Sequence, residues 1–321
     1  MKAMQFDAPG PPEALHLVDA PKPEAAPGEV LIAIAAVGVN FAEAGRRRGT
    51  FPLPHGQSLP HIPGYECAGV VEAVGDGVEG FVPGDRVLTR GYAHTYAEYA
   101  AVADSAVYHI PPELSFESAA AISGMYSTAW QNVVNRGNVQ PGETVLVQAC
   151  ASGVGIANVQ VAKHRGATVI GTASSDEKLA WAATLGVDHA INYETHDFVE
   201  EAKRLTDGKG VPVIIDGVGG ETFLKGLKAL APGGRIVVYG VAGGQRQVTV
   251  TIPELWFTNL TVLGSGSSGV SREDFQRVIG LVADGTLQTP IDRTWPLEQA
   301  AEAHRYLEER RVRGKLVLTV G

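Results

Sequence analysis

The sequence predicts an α/β protein: a doubly wound parallel sheet set into a second, mostly-β domain. Three observations predict it. From residue 144 onward, short apolar runs alternate with helical patterns, as in a parallel sheet covered on both faces. Before about residue 120 the chain reads instead as short strands separated by Pro-Gly and Gly-Asp turns, the pattern of a small barrel or sandwich. A tight turn of small residues, 149–155, joins the first strand of the alternating region to a helix.

In the first region, residues 29–40, 68–75, 85–90 and 96–103 are β-rich. Turns at 27–28, 63–64 and 83–84 (Pro-Gly) and at 75–76 (Gly-Asp) punctuate them. Residues 115–134 then read as a helix, with Ser115 as its cap. Parallel strands are expected at 144–149, 168–172, 189–193, 211–218, 235–240 and 261–265. The tail reads as helix Arg272–Asp284, a short strand near Asp292, helix Leu297–Glu309 and a last strand, 315–320, that returns to the first domain. The expected boundaries are therefore 1–121 with 263–321 for the mostly-β domain and 122–262 for the parallel-sheet domain.

Composition narrows the function. The 321 residues carry 26 Lys plus Arg against 35 Asp plus Glu, a net charge of −9, which argues against a phosphate-backbone binding face. Two cysteines, Cys67 and Cys150, exclude a disulfide scaffold and a Cys-rich zinc site. No signal-peptide pattern or membrane-spanning apolar run is visible, so a soluble, cytoplasmic protein is expected.

The turn Ala149–Gly155 has the setting of a dinucleotide fingerprint. Small residues let the backbone approach a pyrophosphate, and the helix N-terminus offers unpaired N–H groups and positive dipole. Ala151, Ser152, Gly153, Val154 and Gly155 are the candidate contacts. An NAD site usually ends its second strand with an acidic residue on the ribose. Asp176 stands near that distance, but past the strand end, where 175–177 reads as a helix start. Ser174 and Ser175 with Lys178 suit a 2′-phosphate, so NADP(H) is preferred over NAD.

With these motifs in place, the chain resembles the zinc-free quinone oxidoreductase (zeta-crystallin-like) branch of the medium-chain dehydrogenase/reductase superfamily. The resemblance runs over nearly the whole chain. It is carried by "AAVGVNFAEAGRRRG", "PGYECAGVVEAVG", "PGDRV", "YAEY", "ASGVG", "GATVIGTASSDEK", "INY", "PGGRIVVYG" and "GKLVLTV". It implies a GroES-like catalytic domain with a Rossmann domain inserted, an active site in the cleft, NADPH as cofactor, and a homodimer built on the last Rossmann strand near 259–265. It further implies that residues matching Ser174, Lys178, Tyr193 and a late Arg hold the 2′-phosphate. Arg310 matches that Arg best, and Lys315 is a second candidate. Gly240 and Val241, closing the "PGGRIVVYG" strand, join the cofactor-side positions. The chain departs from its relatives in having Ser152 within the turn, Glu43 where Asp is common, and Gly45 and Phe51 where Tyr is common.

The zinc-dependent cousins place metal ligands at positions matching Asn40, Tyr65 and Gly124. Asn and Tyr are poor zinc ligands and Gly has no side chain, so no metal is expected. Without a Lewis acid, an activated acceptor suits hydride transfer best: a quinone or an α,β-unsaturated ketone. Asn40 is the candidate donor to the acceptor oxygen, Tyr65 the candidate proton donor, and Thr128 a contact to the cofactor ribose or carboxamide. Glu66 is read as structural. Cys67 is read as a buried small residue, and Cys150 as the same in preference to a low-pKa redox thiol. The run Arg46–Arg48 is read as a solvated loop face rather than a basic groove for a CoA thioester, and 50–64 as a long loop over the cleft. The partner expected is a small-molecule electron acceptor, with neither nucleic acid nor membrane. The alternatives are an enoyl-thioester reductase and a non-catalytic NADPH- or RNA-binding protein.

Overall fold

A computed structural model describes residues 1–91 and 93–321, which form two compact units: Met1–Gly124 with Thr289–Gly321, and Met125–Gln288. In chain order the first unit begins with strands β1 (Lys2–Gln5), β2 (His16–Asp19) and β3 (Glu29–Val39), and helix α1 (Phe41–Arg47). It continues with β4 (Cys67–Val74), β5 (Arg86–Thr89), β6 (Tyr99–Ala103), β7 (Val107–His109) and helix α2 (Phe116–Ala120). The run "EVLIAIAAVGV" explains why β3 is the hub. It is almost entirely small and β-branched, and it pairs antiparallel with both β4 and β6. Val30, Ile32, Ile34 and Val37 of β3 pack into a core with Phe6, Tyr96 and Val102.

Residues 115–134, expected as one helix, are broken. Ser115 caps α2 by accepting from Ser118 N at 3.1 Å, Ala121 closes it, and α3 (Ile122–Trp130) restarts at once and runs into a π-helical turn, Gln131–Arg136. The restart releases first-turn amides from the helical ladder, and one of them, Gly124 N–H, donates to Glu66.

The second unit alternates strand and helix. It contains β8 (Thr144–Val147), α4 (Gly153–His164), β9 (Thr168–Ala173), α5 (Asp176–Ala183), β10 (His189–Asn192), α6 (Phe198–Leu205) and β11 (Val211–Asp216). Then come α7 (Gly220–Ala229), β12 (Leu230–Val238), α8 (Ile252–Trp256), β13 (Thr261–Gly264) and α9 (Arg272–Ala283). The six strands form one parallel sheet ordered β10-β9-β8-β11-β12-β13. That is the doubly wound arrangement expected, with its switch point between β8 and β11. Leu146, Ile170, Ile191, Ile214 and Ile236 form its core, which is why these strands read as continuous apolar runs.

The chain then returns to the first unit as β14 (Ile291–Pro296), α10 (Ala300–Glu308) and β15 (Lys315–Thr319). Strand β15 pairs with β3, completing a seven-stranded sheet ordered β14-β15-β3-β4-β5-β7, with β6 also on β3. The return falls after Gln288, not at the expected 263. Gln288 is clamped inside the second unit: its N–H donates to Gln160 Oε1 at 2.7 Å, and its carbonyl accepts from the Tyr126 hydroxyl at 2.5 Å. Among the described residues no helix is long and apolar enough to cross a membrane.

Candidate functional site

The expected cofactor residues of the second unit gather at the carboxyl ends of its parallel strands. After β8 the chain turns through Ala149, which sits in the left-handed region at φ +50°. Ser152 then caps α4, its Oγ accepting from Gly155 N at 3.1 Å. A Cβ on Gly155 would overlap the Ala149 carbonyl, so only Gly allows the helix to start this close to the turn. The amides of Gly153 and Val154, the first two of α4, are left outside the helical ladder. The turn is braced against β9: Thr172 Oγ1 donates to Gln148 Oε1 at 2.6 Å, and Cys150 N–H to the Thr172 carbonyl at 2.9 Å. Cys150 is buried, and burial pushes its thiol up to about 12, so the low-pKa reading of this residue does not hold. Cys67 is likewise buried, with its thiol pushed up to about 12 by burial.

Beyond β9, Ser175 caps α5 by accepting from Lys178 N at 3.3 Å, so Ser174, Ser175 and Lys178 lie within one helical turn. Asp176 is the first residue of that helix, and its Oδ1 accepts from Asn192 Nδ2 at 2.8 Å. Tyr193 follows β10, its N–H bonded to the Ala173 carbonyl at 3.1 Å and its ring 43% exposed. Gly240 and Val241 follow β12 and pack on the turn after β11. That turn holds Asp216, a residue that the sequence reading passed over. Its Oδ1 accepts from Val218 N at 2.7 Å and Gly219 N at 3.1 Å, Oδ2 has no hydrogen-bond partner, and burial raises its carboxyl. The signal available was a strand ending in Asp-Gly.

Arg310 and Lys315 belong to the first unit. Arg310 is exposed just past α10 at φ +56°. Lys315 is a correction. Expected as a phosphate ligand, it is buried, and its Nζ donates to Glu66 Oε1 at 2.6 Å and Asn40 Oδ1 at 2.5 Å. Asn40 Nδ2 donates to the same Glu66 Oε1 at 2.9 Å, and Gly124 N–H to Glu66 Oε2 at 2.5 Å. Asn40 lies at the end of β3, where it caps α1, and Glu66 immediately precedes β4. Glu66 is thus the centre of a buried polar cluster.

Of the positions matched to zinc ligands, Asn40 faces an ammonium with its oxygen, and Gly124 brings only an N–H donor. Such a set does not fit zinc, which needs deprotonated or neutral electron-pair donors. Among the described residues no group of three or more His, Cys, Asp or Glu is gathered to hold a metal. Tyr65 is half-buried ahead of β4, and Thr128 is half-buried on α3 in the second unit.

The run Arg46–Arg48 is a second correction. Arg46 and Arg47 lie on α1 and are buried, and only Arg48 is exposed. Arg47 Nε donates to His304 Nδ1 at 3.3 Å, and its other nitrogens donate to the Gly10 carbonyl and to Glu308. A buried arginine tied to three partners is an internal strut, not a solvated face. The departure at Gly45 has a packing cause: a Cβ there would stand 2.6 Å from the Phe51 ring, so any side chain at 45 displaces that ring.

Comparison with known proteins agrees with this architecture. A family model described as the alcohol dehydrogenase GroES-like domain matches residues 26–112, and one described as zinc-binding dehydrogenase matches 153–284. The human quinone oxidoreductase is 34% identical, covering 95% of this chain and 93% of that protein. A 2-haloacrylate reductase from Burkholderia is 35% identical, covering 91% of each. A solved structure described as an NAD-dependent alcohol dehydrogenase superposes with a TM-score of 0.93 at 39% identity, over 100% of both chains. The Escherichia coli quinone oxidoreductase, solved in complex with NADPH, has a TM-score of 0.89 at 30% identity, over 99% of this chain and 100% of that one. With a Rossmann unit and a GroES-like unit in this chain order, and relatives of this identity over almost their full length, the chain belongs to the quinone oxidoreductase branch of the medium-chain dehydrogenase/reductase superfamily.

Proposed function

We propose that this chain is an NADPH-dependent, metal-independent reductase of quinones or α,β-unsaturated carbonyl compounds. The observation that carries the cofactor choice is the cluster of Ser174, Ser175, Lys178 and Tyr193 beyond β9 and β10. It offers hydroxyl donors and a cation for a 2′-phosphate, while Asp176 is drawn into the start of α5 and bonded to Asn192. Ala151, Ser152 and Gly155 shape the turn, and the Gly153 and Val154 amides with the α4 dipole hold the pyrophosphate. Gly240 and Val241 give the cofactor a flat bed, and the Thr128 hydroxyl contacts its ribose or carboxamide. Arg310 remains the candidate late Arg for the phosphate. When bound, NADPH supplies the hydride that reduces the acceptor's electron-poor carbon.

The chain's own residues handle the charge that follows. Asn40 Nδ2 donates to the acceptor oxygen, where negative charge develops, and the Tyr65 hydroxyl returns the proton. The names of two relatives, a quinone oxidoreductase and a 2-haloacrylate reductase, support an electron-poor unsaturated acceptor. A basic groove at Arg46–Arg48 would favour the enoyl-thioester alternative, and burial of Arg46 and Arg47 takes away that support. Two buried, unpaired cysteines suit a reducing cytoplasm, and the open edge of β13 suits a homodimer.

The test is a fluorescence titration with NADPH and with NADH, followed by 9,10-phenanthrenequinone and a simple enone while absorbance of the reduced cofactor is recorded. Tight NADPH with weak NADH, and oxidation by either acceptor, is expected. A preference for NADH puts Asp176 on the ribose and overturns the phosphate site. Binding of NADPH without turnover of either acceptor overturns the reductase reading in favour of a binding role.

A further inference from the structure

The Asn40 amide has two chemically different ends, and its neighbours distinguish them. Lys315 is a donor only, so it can face only the amide oxygen. The Glu66 carboxylate is an acceptor only, so it can face only the amide nitrogen. The distances follow that rule: Lys315 Nζ lies 2.5 Å from Asn40 Oδ1, and Glu66 Oε1 lies 2.9 Å from Asn40 Nδ2. Turning the amide over would set an ammonium against an NH2 group and a carboxylate against a carbonyl oxygen.

Glu66 is itself immobilised. Its Oε1 also accepts from Lys315 at 2.6 Å, and its Oε2 accepts from Gly124 N–H at 2.5 Å. The side chains of Lys315 and Glu66 are 4% and 0% exposed, whereas Asn40 is only partly buried. The cluster has room because Gly124 lacks a side chain: a Cβ there would stand 2.5 Å from Asn40 Oδ1 and 2.8 Å from Glu66 Oε1. A buried ion pair is a poor source of stability, since both charges lose their water. One Asn40 N–H is spent on Glu66, and among the described residues no acceptor takes the other.

We propose that Lys315 and Glu66 are positioning residues that lock the Asn40 amide in one of its two orientations, so that its remaining N–H is always the group left for the acceptor oxygen. The inference rests on the proposed role of Asn40 as that donor. It also reassigns Lys315 from the cofactor to the substrate side of the reaction.

The test has two arms. In the first, the protein is labelled with 15N-asparagine and studied with no cofactor or acceptor present, the Asn40 side-chain amide being assigned by its loss in Asn40→Ala. The wild type is expected to show a pair of Asn40 amide protons well separated in shift, one of them protected from exchange by Glu66. Lys315→Met is expected to collapse that separation and protection. An unchanged Asn40 pair in Lys315→Met overturns the lock. Should removal of one charge unfold the chain, the neutral pair Lys315→Met/Glu66→Gln takes its place, with the same expected collapse and the same overturning result.

The second arm is the NADPH-dependent reduction of 9,10-phenanthrenequinone. Lys315→Met is expected to lower kcat/KM about ten- to a hundredfold, the scale of losing an orienting contact, with NADPH affinity unchanged. In an Asn40→Ala background the same substitution should cost less than about twofold, because residues acting through one another are not additive. Losses that multiply independently of Asn40, or weakened NADPH binding, overturn the proposal. An Asn40→Ala protein with full activity instead removes Asn40 from the reaction and leaves the lock without purpose, a failure that the amide spectrum keeps distinct from failure of the lock itself.

Discussion

Arg47 Nε donates to His304 Nδ1 at 3.3 Å, which places the imidazole proton on Nε2, facing the Tyr96 hydroxyl at 3.0 Å. His304 is fully buried, and burial, with Arg47 and Arg48 close by, pushes its pKa down to about 3. His61 is pushed down to about 4, chiefly by burial. An unfolded His takes its proton near 6.5, so below that pH the unfolded chain binds more protons than the folded one. Stability is therefore lost as pH falls from about 6.5, at about 1.4 kcal/mol per pH unit for each such group, until the folded pKa is reached. We expect urea midpoints to decline from pH 6.5 towards 4, and the His304 ring to show no NMR titration above pH 4. A titration of that ring near 6.5 contradicts the buried, arginine-capped geometry.

Glu43 carries the opposite sign. It is 1% exposed, its Oε2 accepts from Asn40 N at 2.7 Å, and its Oε1 has no hydrogen-bond partner. Burial pushes its carboxyl up to about 7, against the counter-pull of Lys315. A raised folded pKa gives stability that is complete below the unfolded value of about 4.5 and lost as pH rises through 7. Relative to the wild type, Glu43→Gln should therefore gain on the order of 3 kcal/mol between pH 4.5 and pH 8. Denaturation of both proteins across that range checks it. Parallel curves mean that the carboxyl is not taking up a proton on folding.

Glu43, Glu66 and Lys315 also mark the limit of what local sequence reports. Most of the parallel strands are legible because they are runs of apolar residues between turns and helices, and the turn at 149–155 is legible because its neighbours in sequence are its neighbours in space. Lys315 and Glu66 are 249 residues apart in sequence, and Arg47 and His304 are 257 apart. Nothing near Lys315 in sequence announces a carboxylate, so its charge read as free for a phosphate. Arg46–Arg48 read as surface for the same reason: the partners that compensate Arg47, His304 and Glu308, sit on α10 at the far end of the chain. The break between α2 and α3 was hidden likewise, because the acceptor that rewards it, Glu66, belongs to another part of the chain.

Lys178 and Gly155 separate the two halves of the cofactor site. Lys178→Ala is expected to weaken NADPH binding about tenfold, the scale of one charge-assisted phosphate contact, and to leave NADH binding unchanged. Gly155→Ala forces a Cβ onto the Ala149 carbonyl and should weaken both nucleotides alike, because it distorts the turn that both share. Fluorescence titration of the two variants with each nucleotide gives the four affinities. Equal losses of NADPH and NADH in Lys178→Ala refute the 2′-phosphate pocket.

Both thiols should be inert in the native protein. Cys67 and Cys150 are buried, and burial holds each thiol up at about 12, so the reactive thiolate is scarce at neutral pH. Native protein is expected to react with Ellman's reagent at neither cysteine within an hour, and the urea-unfolded protein at both. Rapid native reaction at Cys150 restores a redox role for the cofactor turn.

Strand β13 ends the parallel sheet and, among the described residues, pairs only with β12, leaving one row of its backbone groups without a strand partner there. In the stretch just before it, helix α8 and the residue that closes it expose Ile252, Trp256 and Phe257 by 70%, 63% and 76%, and on the strand itself Val262 is 44% exposed. We expect these exposed apolar side chains and the open edge to serve association, since a second copy of the same edge can satisfy both the hydrogen bonds and the apolar area by two-fold symmetry. Light scattering should therefore report a dimer, and Trp256→Glu/Val262→Glu a monomer with unchanged far-ultraviolet dichroism. The two charges act only on the surface: neither residue is buried in the sheet core, so the unit keeps its fold while like charges oppose each other across the symmetric contact. A wild type that is monomeric, or a variant that remains dimeric, excludes this edge as the interface.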